Sequence, residues 1–119
     1  MNLINLFRHP RQLKDLNPAQ IDGFIQQTQP MVVDVRRAEE YQSGHLPDAM
    51  LAPLGTMARE MEKVDRNIPV LLICKTGHRS QAAAWDLLKM GFTDVQHLKG
   101  GHGPVEAREQ AGRAFIERA

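Results

Sequence analysis

The stretch from Ile68 to Met90 constrains the fold most. An apolar run, Pro69-Val70-Leu71-Leu72-Ile73, ends on Cys74, passes through Lys75-Thr76-Gly77-His78-Arg79-Ser80, and turns helical at Gln81-Ala82-Ala83-Ala84. Such a run predicts a strand buried on both faces over 70–73, then a tight cationic loop and a helix over 80–90 ended by Gly91. In that helix Ala83, Ala84, Leu87 and Leu88 form a packing face, small where the helix first meets the strand. A thiol at the mouth of a helix N-terminus is in a place that makes thiols reactive. The nucleophilic form is the thiolate, and a thiol pKa of about 8.5 falls when the sulfur faces a helix dipole, backbone N–H groups and cations. Lys75, His78 and Arg79 supply the cations, and Gly77 can take positive φ so that successive N–H groups curl inward as an anion nest.

The chain on either side of this segment alternates in the same way. Leu13 to Leu16 suits a short edge strand. Asn17-Pro18-Ala19-Gln20 reads as a helix start, with Asn as cap, Pro at the first position and Gln at the third able to bond back to the cap. Ile21, Phe24 and Ile25 then give that helix an apolar face, and Pro30 stops it. Met31-Val32-Val33-Asp34-Val35 predicts a buried parallel strand. A short helix is expected over 36–43, closed by a left-handed Gly44. A weak strand over 49–51 precedes a helix over 54–64, irregular at Gly55, with Leu54, Met57, Ala58 and Met61 at helical spacing. Asp94 to Leu98 is the last strand, Gly100-Gly101 a sharp turn, and Pro104 opens a final helix over 104–118. Strands alternating with helices imply a parallel sheet covered on both faces, whose ligands bind beyond the carboxyl ends of the strands, where Cys74 falls.

The bulk properties exclude several classes. At 119 residues the chain is expected to hold an N-terminal arm (1–12) and one domain (13–119), large enough to need neither disulfide nor structural metal. Fifteen basic and 14 acidic residues are scattered along it, leaving a net charge of +1 with no basic stripe, and 5% aromatic content offers no stacking platform; no nucleic acid is expected. The lone cysteine rules out an internal disulfide, so any restoring thiol belongs to another molecule. No run approaches the roughly 20 apolar residues of a membrane span, and the opening Met1-Asn2-Leu3-Ile4-Asn5-Leu6-Phe7-Arg8 lacks the features of a signal peptide. A cytoplasmic protein without membrane contact is the expectation.

Together, Asp34-Val35-Arg36, Glu39-Glu40-Tyr41, Gly44-His45-Leu46-Pro47-Asp48-Ala49, Cys74-Lys75-Thr76-Gly77-His78-Arg79-Ser80, Gly91-Phe92, Val95, Leu98 and Gly100-Gly101 resemble a single-domain rhodanese over 13–101. The resemblance implies an α/β sulfurtransferase fold with a central parallel sheet of about five strands and helices on both faces. It also implies that Cys74 attacks a sulfane sulfur donor such as thiosulfate, carries the sulfur as a persulfide, and passes it to cyanide, a thiol or a protein. Lys75, Thr76, Gly77, His78 and Arg79 would form the cradle for the anionic sulfur, much as an oxyanion hole holds its charge. Arg79 would offer a planar fork to thiosulfate oxygens and Lys75 a mobile point charge. No metal or organic cofactor is implied. Many members carry a tryptophan shortly after the double glycine; here His102-Gly103-Pro104-Val105-Glu106 follows, without an aromatic, and Trp85 is not its replacement.

Other readings compete residue by residue. Asp34 and Arg36, with Glu39 or Glu40 nearby, read as structural ion pair and cap rather than acid and base. Gly44, His45 and Ala49 read as turn and packing residues, and Met50, Met57, Met61 and Met90 as core filler. Cys74 taken alone is compatible with an inert core thiol. His97 and His102 read as loop or surface histidines with no acidic group beside them to complete a metal site. A cysteine phosphatase, with His78 or Asp86 as leaving-group acid, is disfavoured because four residues, not five, separate Cys74 from Arg79. A non-catalytic binding or regulatory module is the remaining alternative.

Overall fold

The computed structural model describes residues 3–99. Five strands, β1 (Lys14–Leu16), β2 (Met31–Asp34), β3 (Met50–Leu51), β4 (Val70–Ile73) and β5 (Val95–Leu98), form one sheet in the order β1-β5-β4-β2-β3, each neighbouring pair parallel. Helices α1 (Ile21–Thr28), α2 (Ala38–Ser43), α3 (Met57–Glu60) and α4 (His78–Lys89) cover it. The five-stranded parallel sheet with helices on both faces is the architecture expected from the alternation of elements.

The period-2 alternation of strand side chains sorts the core into two halves. Val33, Val70, Leu72 and Val95 pack with Met57 of α3, with Met61 just after it, and with Ala83, Ala84 and Leu87 of α4. Val32, Leu71, Ile73 and Leu98 face the other way, against Ile21, Phe24 and Ile25 of α1 and Tyr41 of α2. All four residues of β4 are fully buried, so each contributes about 1.5–3 kcal/mol of burial. β4 is the middle strand, and the register sets Ile73 beside Asp34 of β2 and Leu72 beside His97 of β5. Alanines at 82–84 allow α4 to lie close over it.

Several boundaries differ from the expectations, each for a local reason. The Asn17–Gln20 capping box is present, with Gln20 N donating to Asn17 Oδ1 at 3.1 Å and Asn17 N donating to Gln20 Oε1 at 2.9 Å, but it opens a 3₁₀ turn that leads into α1. The helix expected over 54–64 is only the single turn α3. Beyond it the chain turns more tightly, Val64 N donating to the Met61 carbonyl at 3.2 Å, and Arg66 Nη1 collects the carbonyls of Met61, Glu62 and Val64 at 2.7–3.0 Å. Gly44 closes α2 at φ 157° and ψ 136°, not in the left-handed helical well, and its carbonyl accepts Arg36 Nη2 at 2.7 Å. α4 begins at His78, two residues before the expected start, so His78 and Arg79 belong to its first turn.

The segment before β1 is packed on α4. Residues Leu3–Leu6 form a 3₁₀ turn with Asn5 buried, Trp85 Nε1 donates to the Arg8 carbonyl at 2.9 Å, and the Arg8 guanidinium lies 4.5 Å from the Trp85 ring centroid. No helix among the described residues is long and apolar enough to cross a membrane. The turn at Gly100-Gly101, the missing aromatic after it, His102 and the helix expected over 104–118 lie outside the described residues.

Candidate active site

The carboxyl end of β4 delivers Cys74 to the start of α4. Gly77 sits at φ 95°, a conformation that costs a side-chain-bearing residue most, and it folds the loop back on the sulfur. Gly77 N donates to Cys74 Sγ at 2.9 Å, and Ser80 N, three residues into the helix, donates at 3.4 Å. Gly77 has no side chain to cap α4, so the sulfur does the capping, taking a backbone donor that would otherwise be orphaned. Cys74 is 1% exposed and its Sγ lies 3.4 Å from Ser80 Oγ.

The expected cradle residues divide into groups. Gly77 is buried at the sulfur, whereas Lys75, Thr76 and His78 are exposed at the rim. Thr76 Oγ1 and His78 Nδ1 are paired at 3.1 Å, and the Phe7 ring centroid stands 5.6 Å from that of His78. Arg79 has a partner that the local run of residues does not announce. Its guanidinium forms a fork on Glu40 of α2, Nη1 to Oε1 at 2.6 Å and Nη2 to Oε2 at 3.1 Å. Glu40 also accepts Arg37 N at 3.0 Å as the capping-box partner of α2. One carboxylate thus joins a helix on one face of the sheet to a helix on the other.

The Arg79 hydrogen bonds hold the Glu40 carboxyl down at about 2, against an ordinary 4.5, and the same pairing raises Arg79. A carboxyl depressed in the folded state gives stability that is complete above about pH 4.5 and is lost as pH falls toward 2. Glu40→Gln is therefore expected to destabilise the protein by about 1–3 kcal/mol at pH 7. The gap to the parent should narrow in urea titrations at pH 3, and a gap that stayed constant would show that Glu40 is not the titrating partner.

Asp34 and Arg36 meet as the ion pair expected of them. They form a fully buried bidentate pair, with Arg36 Nε at 2.9 and 3.1 Å from the two carboxylate oxygens and Nη2 at 2.8 Å. His45 stacks on Tyr41 at 3.7 Å between ring centroids, its Nδ1 2.9 Å from the Tyr41 carbonyl. Met57 and Met61 are buried, with Met50 and Met90 packed beside them. Asp86, once a candidate acid, lies two turns along α4 from the loop. There burial raises its carboxyl pKa, and it lines a cavity of about 300 Å³ with Gly55, Ala58, Lys89 and Met90.

His97 corrects the reading of a loop or surface histidine. It lies in β5 at 2% exposure, because its position places it on the α4 side with Val95. Its Nδ1 is 2.7 Å from Ser80 Oγ and its Nε2 is 2.7 Å from Asp15 Oδ1, which His9 Nε2 also approaches at 2.6 Å. An acid and a second histidine do stand beside it, so His9, Asp15 and His97 offer three groups of metal-ligating type. They meet at hydrogen-bonding separations. The signal available in the sequence was the alternation of β5, which places His97 on the same face as Val95.

Residues 17–103 match the family model described as the rhodanese-like domain. The chain belongs to the rhodanese-like domain family. Among relatives of this rhodanese-like chain is the thiosulfate sulfurtransferase GlpE of Pseudomonas savastanoi pv. phaseolicola, 34% identical over 90 residues that span 76% of this chain and 84% of that protein. A rhodanese from E. coli solved with anions is 34% identical, with a TM-score of 0.54 over 60% of this chain and 85% of that one. The rhodanese-related protein of Thermoplasma volcanium superposes with a TM-score of 0.71 over 89% of this chain and 99% of its own, at 23% identity, a likeness of fold alone.

Proposed function

We propose that this rhodanese-like protein is a sulfurtransferase in which Cys74 carries the sulfur, with thiosulfate as a competent donor. The observation that carries the reading is the sulfur itself, at the carboxyl end of the central strand with two backbone N–H donors aimed at it. Relatives named thiosulfate sulfurtransferase support the chemistry, and the E. coli rhodanese solved with anions supports an anionic ligand.

In the first half-reaction the Cys74 thiolate attacks the sulfane sulfur of thiosulfate. The new S–S bond forms as the old one breaks, and sulfite leaves with its electron pair. Gly77 N–H and Ser80 N–H then face the persulfide, the dipole of α4 adding to their field. Lys75 and His78, exposed at the rim, attract the donor; Thr76 holds the His78 ring; Arg79 fixes the loop through Glu40. In the second half-reaction an acceptor such as cyanide, a thiol or a protein cysteine attacks the outer sulfur and the Cys74 thiolate leaves. The residues in place need no cofactor for either step.

A second reading, a rhodanese-like binding module without turnover, is favoured by one observation, the 1% exposure of Cys74. Incubation with thiosulfate and cyanide separates the two. The sulfurtransferase is expected to release thiocyanate and, with cyanide omitted, to gain the mass of one sulfur on Cys74. Neither product from a folded sample would leave the binding module as the surviving reading.

A further inference from the structure

Behind Cys74 a continuous chain of hydrogen-bonding groups leads away from the reacting atom. Cys74 Sγ is 3.4 Å from Ser80 Oγ, Ser80 Oγ is 2.7 Å from His97 Nδ1, and His97 Nε2 is 2.7 Å from Asp15 Oδ1. We propose that this is a proton relay in which the Ser80 hydroxyl passes the Cys74 thiol proton to His97, whose tautomer Asp15 sets. The proposal rests on the sulfurtransferase reading for its purpose but not for its test.

The polarity of the chain follows from what each group can donate. Burial pushes the Asp15 carboxyl up, but hydrogen bonds from His9 and His97 outweigh it and hold it below the ordinary carboxylate range, so it accepts only. His97 Nε2 must then donate, and in the neutral ring Nδ1 is left with a bare lone pair. Burial in the sheet keeps His97 toward its neutral form, against the opposing hydrogen bond of Asp15. The charged and titratable groups facing it are Asp15 from β1, His9 from the segment before it, and Lys99 beyond β5. From β4 its neighbour in register is the apolar Leu72.

Ser80 is the hinge of the relay because its hydroxyl has one proton and two acceptors, His97 Nδ1 at 2.7 Å and the Gly77 carbonyl at 2.9 Å. With the proton on the His97 side, an oxygen lone pair faces the Cys74 S–H. Transfer breaks S–H and forms O–H at Ser80, while the original Ser80 O–H breaks and N–H forms at His97 Nδ1. The products are a thiolate and an imidazolium whose two N–H groups point at Ser80 Oγ and Asp15, and the Ser80 proton can swing to Gly77 O. No proton enters or leaves the protein. Ser80 touches the reacting sulfur; His97 and Asp15 are positioning residues that act through it.

The buried cluster has a structural alternative, in which it merely satisfies polar groups between β1, β5 and α4. The intact protein and its His97→Gln and Ser80→Ala variants separate the two when iodoacetamide alkylation of Cys74 and persulfide formation from thiosulfate are followed from pH 5.5 to 10. General-base assistance is worth about 10² or more, and part of it survives through the helix N-terminus, so both variants are expected to react about tenfold slower at pH 7 and near the parent's rate at pH 9.5. The profile shifts to higher pH in both. A loss equal at every pH, or an unchanged profile in the two folded variants, overturns the relay. Ser80→Ala removes only one buried oxygen and stands as the independent variant where His97→Gln melts. Alkylation requires no sulfur donor. A shifted alkylation profile without persulfide sinks the transfer reading alone, and persulfide with parental alkylation profiles sinks the relay alone.

Discussion

Cys74→Ser is expected to abolish sulfur transfer, with thiocyanate formation at background and no mass gain from thiosulfate. A serine hydroxyl is hardly ionised near neutral pH and is a poor nucleophile toward sulfane sulfur, whereas the thiolate is the working form of cysteine. The fold should survive the change. The serine oxygen still accepts from Gly77 N and Ser80 N, so α4 keeps an acceptor at its start and the cost is held to about 1 kcal/mol. A melting temperature close to the parent's with no turnover would place the chemistry at this atom. Turnover persisting in the variant would place it elsewhere and would dismantle the roles assigned to the loop.

Asp34→Ala is expected to do the reverse, and to destroy stability first. It strands the Arg36 guanidinium, 2% exposed, with the Gly44 carbonyl as its remaining described partner. Breaking a buried pair from one side costs about 3–5 kcal/mol, a large share of the 5–15 kcal/mol that holds a domain of this size. Thermal midpoints should fall by more than about 10 °C. Replacing both partners, Asp34→Leu with Arg36→Met, tests the cause, because an apolar pair of similar volume often matches a buried ion pair. If the single variant melted with the parent, the pair would be dispensable and the junction of β2 with α2 would be held by packing alone.

The strands were legible because burial on both faces leaves continuous apolar runs such as Met31 to Val35 and Val70 to Ile73, which few other structures tolerate. The helices were legible where an apolar face was long, as in α4, and not where the chain turns more tightly after a single turn, as beyond α3. Arg66 collects the carbonyls that follow α3, and no periodicity within 54–64 announces it. Of the candidate site, the position of Cys74 and the turn at Gly77 followed from the local run of residues. The engagement of Arg79 by Glu40 and of His97 by Ser80 and Asp15 did not. Their partners lie 39, 17 and 82 residues away, and only the strand order brings them together.

The last of those separations has its own consequence. β1 is an edge strand of three residues, bound on one side by β5, and it carries Asp15 to His97. Short edge strands are where native structures open first, well below the free energy of global unfolding. Fraying of β1 would withdraw Asp15 while β4, the Gly77 turn and the start of α4 stay closed around Cys74. In the proposed relay, the protein would then hold a correctly built thiol with its proton acceptor free to change tautomer. In that relay, assembly of the nucleophile would be separable from its activation, the second waiting on a three-residue edge strand.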